Sequence, residues 1–392
     1  MSGVISARAL DMIDGLGAYG PKLFAGLGAE VIRVEPPGGS LRRRLAPFAD
    51  GSDISLEALH YDAGKKSITL DIRQPRGREL LSGLLDKVDV VFDNGDLLAA
   101  GFDLDALAAK GPPLVVVSVT PFGLDSARSS WLGDDLVCQA MSGMISYFGY
   151  RGERPAHFGP HQASEMSGLA ACLGALIALF GARRTGRGDV IDIAAERVGA
   201  LVTNQMSNAS LYHQFGFIRK RHERGNADLT LYEARDGYVQ MGAFRDLSPL
   251  ARVLEKVGDS PLPPDFTSSI AAGEFARHPK VREAIQAFVG ARTKWQVAEA
   301  VQAEGVMCVP VTDAADLAHD PFLEQRGFFA EVSFEEAAGR AFRDIGVPMR
   351  FSDGAFATGG ELAAPGADNA EVYGALGLSS SDLGVLRAEG VI

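Results

Sequence analysis

The chain has 392 residues, room for about two domains, and its 46% hydrophobic and 22% charged residues describe an ordinary globular protein. A formal net charge of −12 excludes general affinity for nucleic acid or an anionic membrane surface, both of which need positive charge. The balance is uneven, since residues 1–80 hold 11 Lys/Arg against 10 Asp/Glu, so an anionic small ligand is best received there.

In chain order, "ARALDMI" predicts a strand, "YGPKLFAGLG" a helix with Pro21 in its first turn and Gly28 at its end, and "EVIRVE" a second strand. "KSITLDI" (66–72) reads as a strand and "RGRELLSGLLDKV" as an amphipathic helix. "DVVFDN" (89–94) and "PLVVVSVT" (113–120) are β-branched strands, an alternation that points to a mostly parallel sheet covered by helices. The longest apolar run, "GLAACLGALIALFGA" (168–182), is shorter than the roughly 20 residues of a membrane span and reads as a helix buried on most sides. A glycine-broken loop then leads into a strand within 183–196, and 201–224 reads as helical, with Tyr212, Phe215 and Phe217 as core. "LYEARDGYVQMGAF" predicts a hairpin turning at Asp236-Gly237, followed by helices over about 246–304. "GVMCVPVTD" and "FFAEVSF" are strand-like, and the chain closes in a short helix. Cys138, Cys172 and Cys308 are odd in number and lack metal-ligand spacing, and no basic-then-apolar leader opens the chain, so a reducing cytoplasm is expected.

Gly15, Gly17 and Gly20 spell G-x-G-x-x-G between the first strand and first helix, and Glu35 ends the second strand. Such a turn lets backbone approach a pyrophosphate, and a later acid can hold a ribose hydroxyl. Gly20 to Glu35 is fifteen residues, about a helical turn short of the spacing usual for NAD, and no NAD is expected.

Six blocks taken together, "LGAEVIRVEPPGG", "KKSITLDIRQPRGRELLSGLLDKVDVVFDN", "PFGLDSARSSWLGDDLVCQAMSGM", "GLAACLGALIALFGARRTGRGDVIDIA", "GVMCVPVTDAADLAHDPFLEQRGFFAEV" and the ending "LRAEGVI", resemble the class III CoA-transferase family. That group contains formyl-CoA transferase, carnitine CoA-transferase and the α-methylacyl-CoA racemases. The resemblance implies an α/β fold: a Rossmann-like large domain with a parallel sheet (1–210), a smaller α+β domain (225–325) and a C-terminal segment returning to the large one (326–392). It also implies an interlocked homodimer and an acyl-CoA-handling enzyme with coenzyme A or acyl-CoA as substrate and no metal. The glycine turn would then lie against CoA, with Leu16, Gly17, Arg42, Leu70, Arg73 and Asn94 as binding residues. Arg43, Arg44, Lys65 and Lys66 are further cations near it. Two family arginines are missing: Pro36 follows Glu35, and alanine precedes Gly101-Phe102.

The family's nucleophilic aspartate lies four residues before the glycine that opens the apolar helix. Here that glycine is Gly168, the position is Ser164, and no Asp occurs between 136 and 188. Glu165, one residue on, is the candidate nucleophile, since an ionised carboxylate can attack a thioester and leave again from an anhydride. Alternatively Glu165 is a favourable first-turn acid and Ser164 an N-cap. Ser164 as nucleophile requires a base, for which His157 and His161 are the neighbours. Asp134 occupies the place of the racemase histidine, so that acid–base pair is not reproduced; Asp135 is expected to make a structural hydrogen bond. The leading reading is CoA transfer between carboxylic acids through an anhydride. Its alternatives are a non-catalytic homologue, one dependent on a sister subunit, and a racemase, isomerase or lyase on the same fold.

Overall fold

A computed structural model describes residues 3–202, 205–216, 230–241, 248–257, 279–334, 342–347, 349–352, 356–357 and 359–392. The chain divides into two compact units. The first comprises Met1–Phe148, Ala156–Arg219 and Leu323–Ile392, the second Gly149–Pro155 and Lys220–Phe322.

Six parallel strands form the centre of the first unit: β1 (Arg8–Asp11), β2 (Glu30–Glu35), β3 (Lys66–Thr69), β4 (Val90–Asp93), β5 (Val115–Thr120) and β6 (Asp189–Ala194). Their order is β3-β2-β1-β4-β5-β6, with Leu10 beside both Ile32 and Val91. Helices on both faces explain why all six residues of β5 are buried and why the strands read as unbroken apolar runs. Helices α1 (Tyr19–Gly26), α2 (Leu56–Asp62), α3 (Pro75–Leu85), α4 (Asp96–Ala99), α5 (Leu104–Ala109), α6 (Asp135–Met141), α7 (Gln162–Thr185), α8 (Ala195–Val202) and α9 (Gln205–Phe215) follow in order. On one face Phe24 of α1 and Ala171 and Ala175 of α7 pack on Phe92 and Val117. On the other, Leu81 and Leu84 of α3 pack with Val91, Tyr373 and Leu386. The C-terminal segment closes the β3 edge, where Thr69 N–H donates to Asn369 (2.9 Å), Tyr373 Oη donates to the Thr69 carbonyl (2.8 Å) and Asp71 N–H donates to the Val391 carbonyl (2.7 Å). A small sheet of the same unit joins β10 (Phe329–Phe334) to β11 (Phe342–Ile345) and β12 (Gly360–Leu362).

The second unit is α+β. Antiparallel strands β7 (Leu231–Ala234), β8 (Gly237–Met241) and β9 (Cys308–Pro310) pack with three helices, Ser248–Val257, Pro279–Gly290 and Lys294–Gln302, around Val239, Leu254, Ile285 and Phe288. The β7–β8 hairpin turns at Arg235-Asp236, beside the predicted position.

Two expectations need correction. Helix α7 is 24 residues, long and apolar enough by length and composition to cross a membrane, and it is not buried on most sides. Its small residues Gly168, Ala171, Ala175 and Ala182 are buried, whereas Leu169, Leu173, Ile177 and Phe180 are each more than half exposed. Helical spacing separates the two sets, a distinction that a uniformly apolar run hides. Tyr212 and Phe215 are likewise exposed rather than core, and Phe217 lies outside the described residues.

Small residues also fix how α7 meets α1. A Cβ on Gly168 would lie 2.7 Å from Tyr19 Cβ and 2.8 Å from Gly20 N, and one on Gly20 would lie 2.9 Å from the Gly168 carbonyl oxygen. The last glycine of the motif thus serves helix–helix approach. Gly168→Ala is expected to cost about 1–3 kcal/mol by overpacking, read as a lower urea midpoint. Gly181→Ala, on the same helix with open space around it, is expected to gain up to about 1 kcal/mol.

Candidate functional site

The turn after β1 lies where the strand order reverses, at the carboxyl ends of the strands, the usual ligand crevice of such sheets. Its backbone is held almost atom by atom. Ile13 N–H donates to Asp11 (3.0 Å), and the Ile13 carbonyl accepts from both Arg33 and Arg42 at 2.6 Å each. Asn94 Oδ1 accepts from the N–H groups of Asp14 and Gly15 (3.1 Å each), and its Nδ2 donates to the carbonyls of Leu16 (2.9 Å) and Val119 (2.8 Å). Gly17, at φ +88°, donates its N–H to Ser164 Oγ (3.2 Å). Leu16 N–H is left without a hydrogen-bond partner among the described residues and borders the crevice.

Beneath this turn lies a buried ion cluster. Arg42 Nη1 donates to both oxygens of Asp62 (2.9 Å each), Lys65 bonds Asp11 (2.7 Å) and Asp62 (3.1 Å), and Arg33 reaches Asp11 (3.4 Å) and Asp14. Burial alone would raise the Asp62 pKa, but Arg42, Lys65 and Arg33 outweigh it and hold the carboxyl well below the usual range.

The cations read from sequence as spare are therefore largely committed. Arg42 is 2% exposed and fully engaged beneath the turn, which orients the backbone rather than presenting a free charge. Arg43 is bidentate to Glu35, and Lys66 pairs with Glu30 and Glu371. Glu35 also accepts from Ser40 N–H and Ser67 Oγ, so no oxygen is left for a ribose hydroxyl. Asn94 spends all four of its hydrogen-bonding capacities on backbone, which makes it a positioning residue. Arg44 is exposed and, among the described residues, reaches only the Gly38 carbonyl (3.3 Å).

Three depressions adjoin along the strand ends. The first, about 620 Å³, is lined by Met12, Val34, Leu70, Arg73 and Arg78. It shares Ala99 with the second, about 580 Å³, which passes Leu16, Asn94, Val119 and Trp131. That one shares Gly15, Leu16 and Gly133 with the third, about 220 Å³, closed by Tyr61, Asp135, His161 and Ser164. The first also meets the third at Asp14, so the three form one connected trough, with Leu70 and Arg73 lining the first depression and Ser164 the third. Arg73 is 83% exposed and bidentate to Asp71. Within the first depression, burial and the charges of Asp93 and Asp14 push the Asp96 carboxyl up.

At the closed end, α7 begins after His161, a non-glycine residue at φ +68° whose ring faces Glu57 (3.3 Å). Ser164 lies in the first turn and is not the N-cap that sequence suggested: its N–H donates to Asp135 (2.9 Å) and its Oγ receives Gly17. Glu165, one residue and about 100° further round the helix, accepts the hydroxyl of Tyr61. It does not itself line the third depression; Tyr61 does. Burial and the Glu165 charge keep the Tyr61 hydroxyl protonated, as a donor. Arg42 lies over the Tyr61 ring (5.2 Å), joining this pair to the ion cluster. His157 lies against its neighbour's carbonyl (2.5 Å), and among the described residues no base accepts the Ser164 proton. Tyr61 and Arg78 were not singled out from sequence; the N-cap Ser55 before "LEALHYD" was the available signal for the helix that carries Tyr61.

A family model for CoA-transferase family III matches residues 10–369. The chain belongs to that family. It is 32% identical over 365 residues to succinyl-CoA:(R)-benzylsuccinate CoA-transferase subunit BbsE of Thauera aromatica, covering 88% of this chain and 87% of that one. It is 30% identical over 397 residues to succinyl-CoA–D-citramalate CoA-transferase of Chloroflexus aurantiacus, covering 96% of both. The crystal structure of a CAIB/BAIF family protein from Brucella suis superposes with TM-score 0.76 at 25% identity, over 94% of this chain and 98% of the other. Family III membership carries the reaction class: this is an enzyme that transfers CoA between carboxylic acids, with CoA thioesters as substrates.

Asp62 also sets a pH dependence. Its folded pKa lies below the unfolded value of about 3.9, so its contribution is complete above that pH and is lost as pH falls below it. Urea midpoints are expected to fall steeply below about pH 4. Asp62→Asn is expected to be weaker by about 3–5 kcal/mol at pH 7 and to show a flatter acid limb.

Proposed function

We propose that exchange runs through an acyl-glutamyl anhydride on Glu165. The observation that carries this is the Glu165–Tyr61 hydrogen bond, which holds a carboxylate in the first turn of α7 behind a residue lining the closed end of the trough. In the step itself, a Glu165 carboxylate oxygen attacks the thioester carbonyl, the carbon–sulfur bond breaks and CoA leaves as thiolate. The anhydride then retains the energy of the thioester for the acceptor acid. Leu16, Gly17, Leu70 and Arg73 bind CoA in this reading, with Arg42 and Asn94 shaping the backbone that does so. Ser164 acts through its hydrogen bond to Gly17, since it lacks a base. The substrates are an acyl-CoA and a carboxylic acid. A homodimer accounts for the exposed face of Leu169, Leu173, Ile177 and Phe180, and a cytoplasmic setting suits three free, buried cysteines.

Glu165→Gln is expected to lower CoA exchange at least about 10³-fold while leaving CoA binding within about twofold. Tyr61→Phe is expected to lower kcat about tenfold with little change in KM. Exchange that survives Glu165→Gln but is lost in Ser164→Ala would move the nucleophile to the serine.

A second reading, dependence on a sister subunit, is favoured by Ser164 standing where the resembled family has its aspartate. The Thauera relative is itself named as a subunit. In that case the purified chain alone is expected to be inactive with every CoA donor tested, and coexpression with a homologue carrying the aspartate to restore exchange.

A further inference from the structure

Arg78, on α3, borders both the first depression and a neighbouring one of about 370 Å³ lined also by Ser82, Ala100 and Phe102. The half-buried guanidinium spends only Nη1, on the carbonyls of Ile72 (3.3 Å) and Arg73 (2.8 Å). Nε and Nη2 have no partner among the described residues. The nearby charges are otherwise balanced. Asp71 is taken by Arg73, Glu79 by Arg76 (3.0 Å) and Glu35 by Arg43. Asp14, a further acid of the first depression, is taken by Arg33, and Asp96 does not line the depression of about 370 Å³. Arg78 is thus a cation without a carboxylate, pinned by two carbonyls at the shoulder between two concave surfaces.

The order of groups along a CoA thioester decides what meets it. The reacting sulfur belongs beside Ser164 and Glu165, the pantetheine and diphosphate follow, and the adenosine with its 3′-phosphate comes last. The first depression, which meets the third only at Asp14 and has none of Tyr61, Asp135, His161 or Ser164 in its lining, has Met12, Val34 and Leu70 as apolar surface for a flat base. We infer that Arg78 binds the 3′-phosphate at the nucleotide end of the thioester, through Nε and Nη2, and so lets this chain select CoA over its 3′-dephosphorylated form. A guanidinium fork matches two phosphate oxygens, whereas an ammonium offers only a point charge. The assignment rests on the trough being the CoA-thioester site.

Calorimetric titration of the full chain with CoA and with 3′-dephospho-CoA tests it. The wild type is expected to prefer CoA. Arg78→Ala should weaken CoA roughly 10- to 100-fold, the range for a charge-assisted hydrogen-bonded pair, while changing dephospho-CoA by less than about threefold. Arg78→Lys should fall between them. A purely structural role would lower both affinities alike and leave the preference intact, and that result would overturn the proposal, as would unchanged CoA binding in Arg78→Ala. If the wild type bound neither ligand, the thioester reading would fail first and take this assignment with it.

Discussion

The Ile13 carbonyl accepts two guanidinium groups, Arg33 and Arg42, at 2.6 Å each. Neither cation is affordable in a protein interior alone, so Asp11, Asp62 and the part-exposed Asp14 accompany them, with Lys65 bridging the two buried aspartates. Three positive and three negative charges balance in a space from which water is largely excluded. Their geometric result is a peptide group fixed at the point where the strand order reverses. The rest of the turn is built outward from that peptide: Asn94 grips the next three residues, Ser164 receives the N–H of Gly17, and α1 starts from the Gly17 carbonyl.

That construction explains the behaviour of the glycine motif. Gly17 supplies a positive φ, and Gly20 lets α1 approach α7. Both demands arise from packing, and a dinucleotide is not required to explain either. Glu35, the acid that completes the motif on paper, is enclosed by Arg43, Ser40 and Ser67. A sequence pattern can show that backbone must pass through a tight place. It does not show which molecule comes to meet it.

Much of the sheet was legible because parallel strands covered on both sides read as apolar β-branched runs, and "PLVVVSVT" and "DVVFDN" sit within a residue or two of β5 and β4. The short helices α2, α4, α5 and α6 were not, since four to seven residues are too few for helical periodicity to emerge. In the site, the substitution at Ser164 and its acidic neighbour could be read from the chain directly. The roles of the charges could not. "LRRR" holds one arginine buried on Asp62, one locked to Glu35 and one in solvent, a sorting that depends on residues eight and 20 positions away and on which side of a 3₁₀ turn each faces. Arg78 was hidden in the same way, as one cation of an ordinary helix until its neighbours were seen to be paired.

Asn94 precedes Gly95, the dipeptide most prone to lose its side-chain amide by attack of the following backbone nitrogen. Here the amide is tied down at both ends, by the N–H groups of Asp14 and Gly15 and the carbonyls of Leu16 and Val119. The folded chain is thereby shielded from a chemical ageing to which the unfolded chain is open. A molecule that deamidates while unfolded would bring a carboxylate to face the carbonyls of Leu16 and Val119, where only donors fit. Repeated unfolding and storage would therefore accumulate a population, altered by about a single dalton, in which the turn after β1 loses two of the donors that hold it.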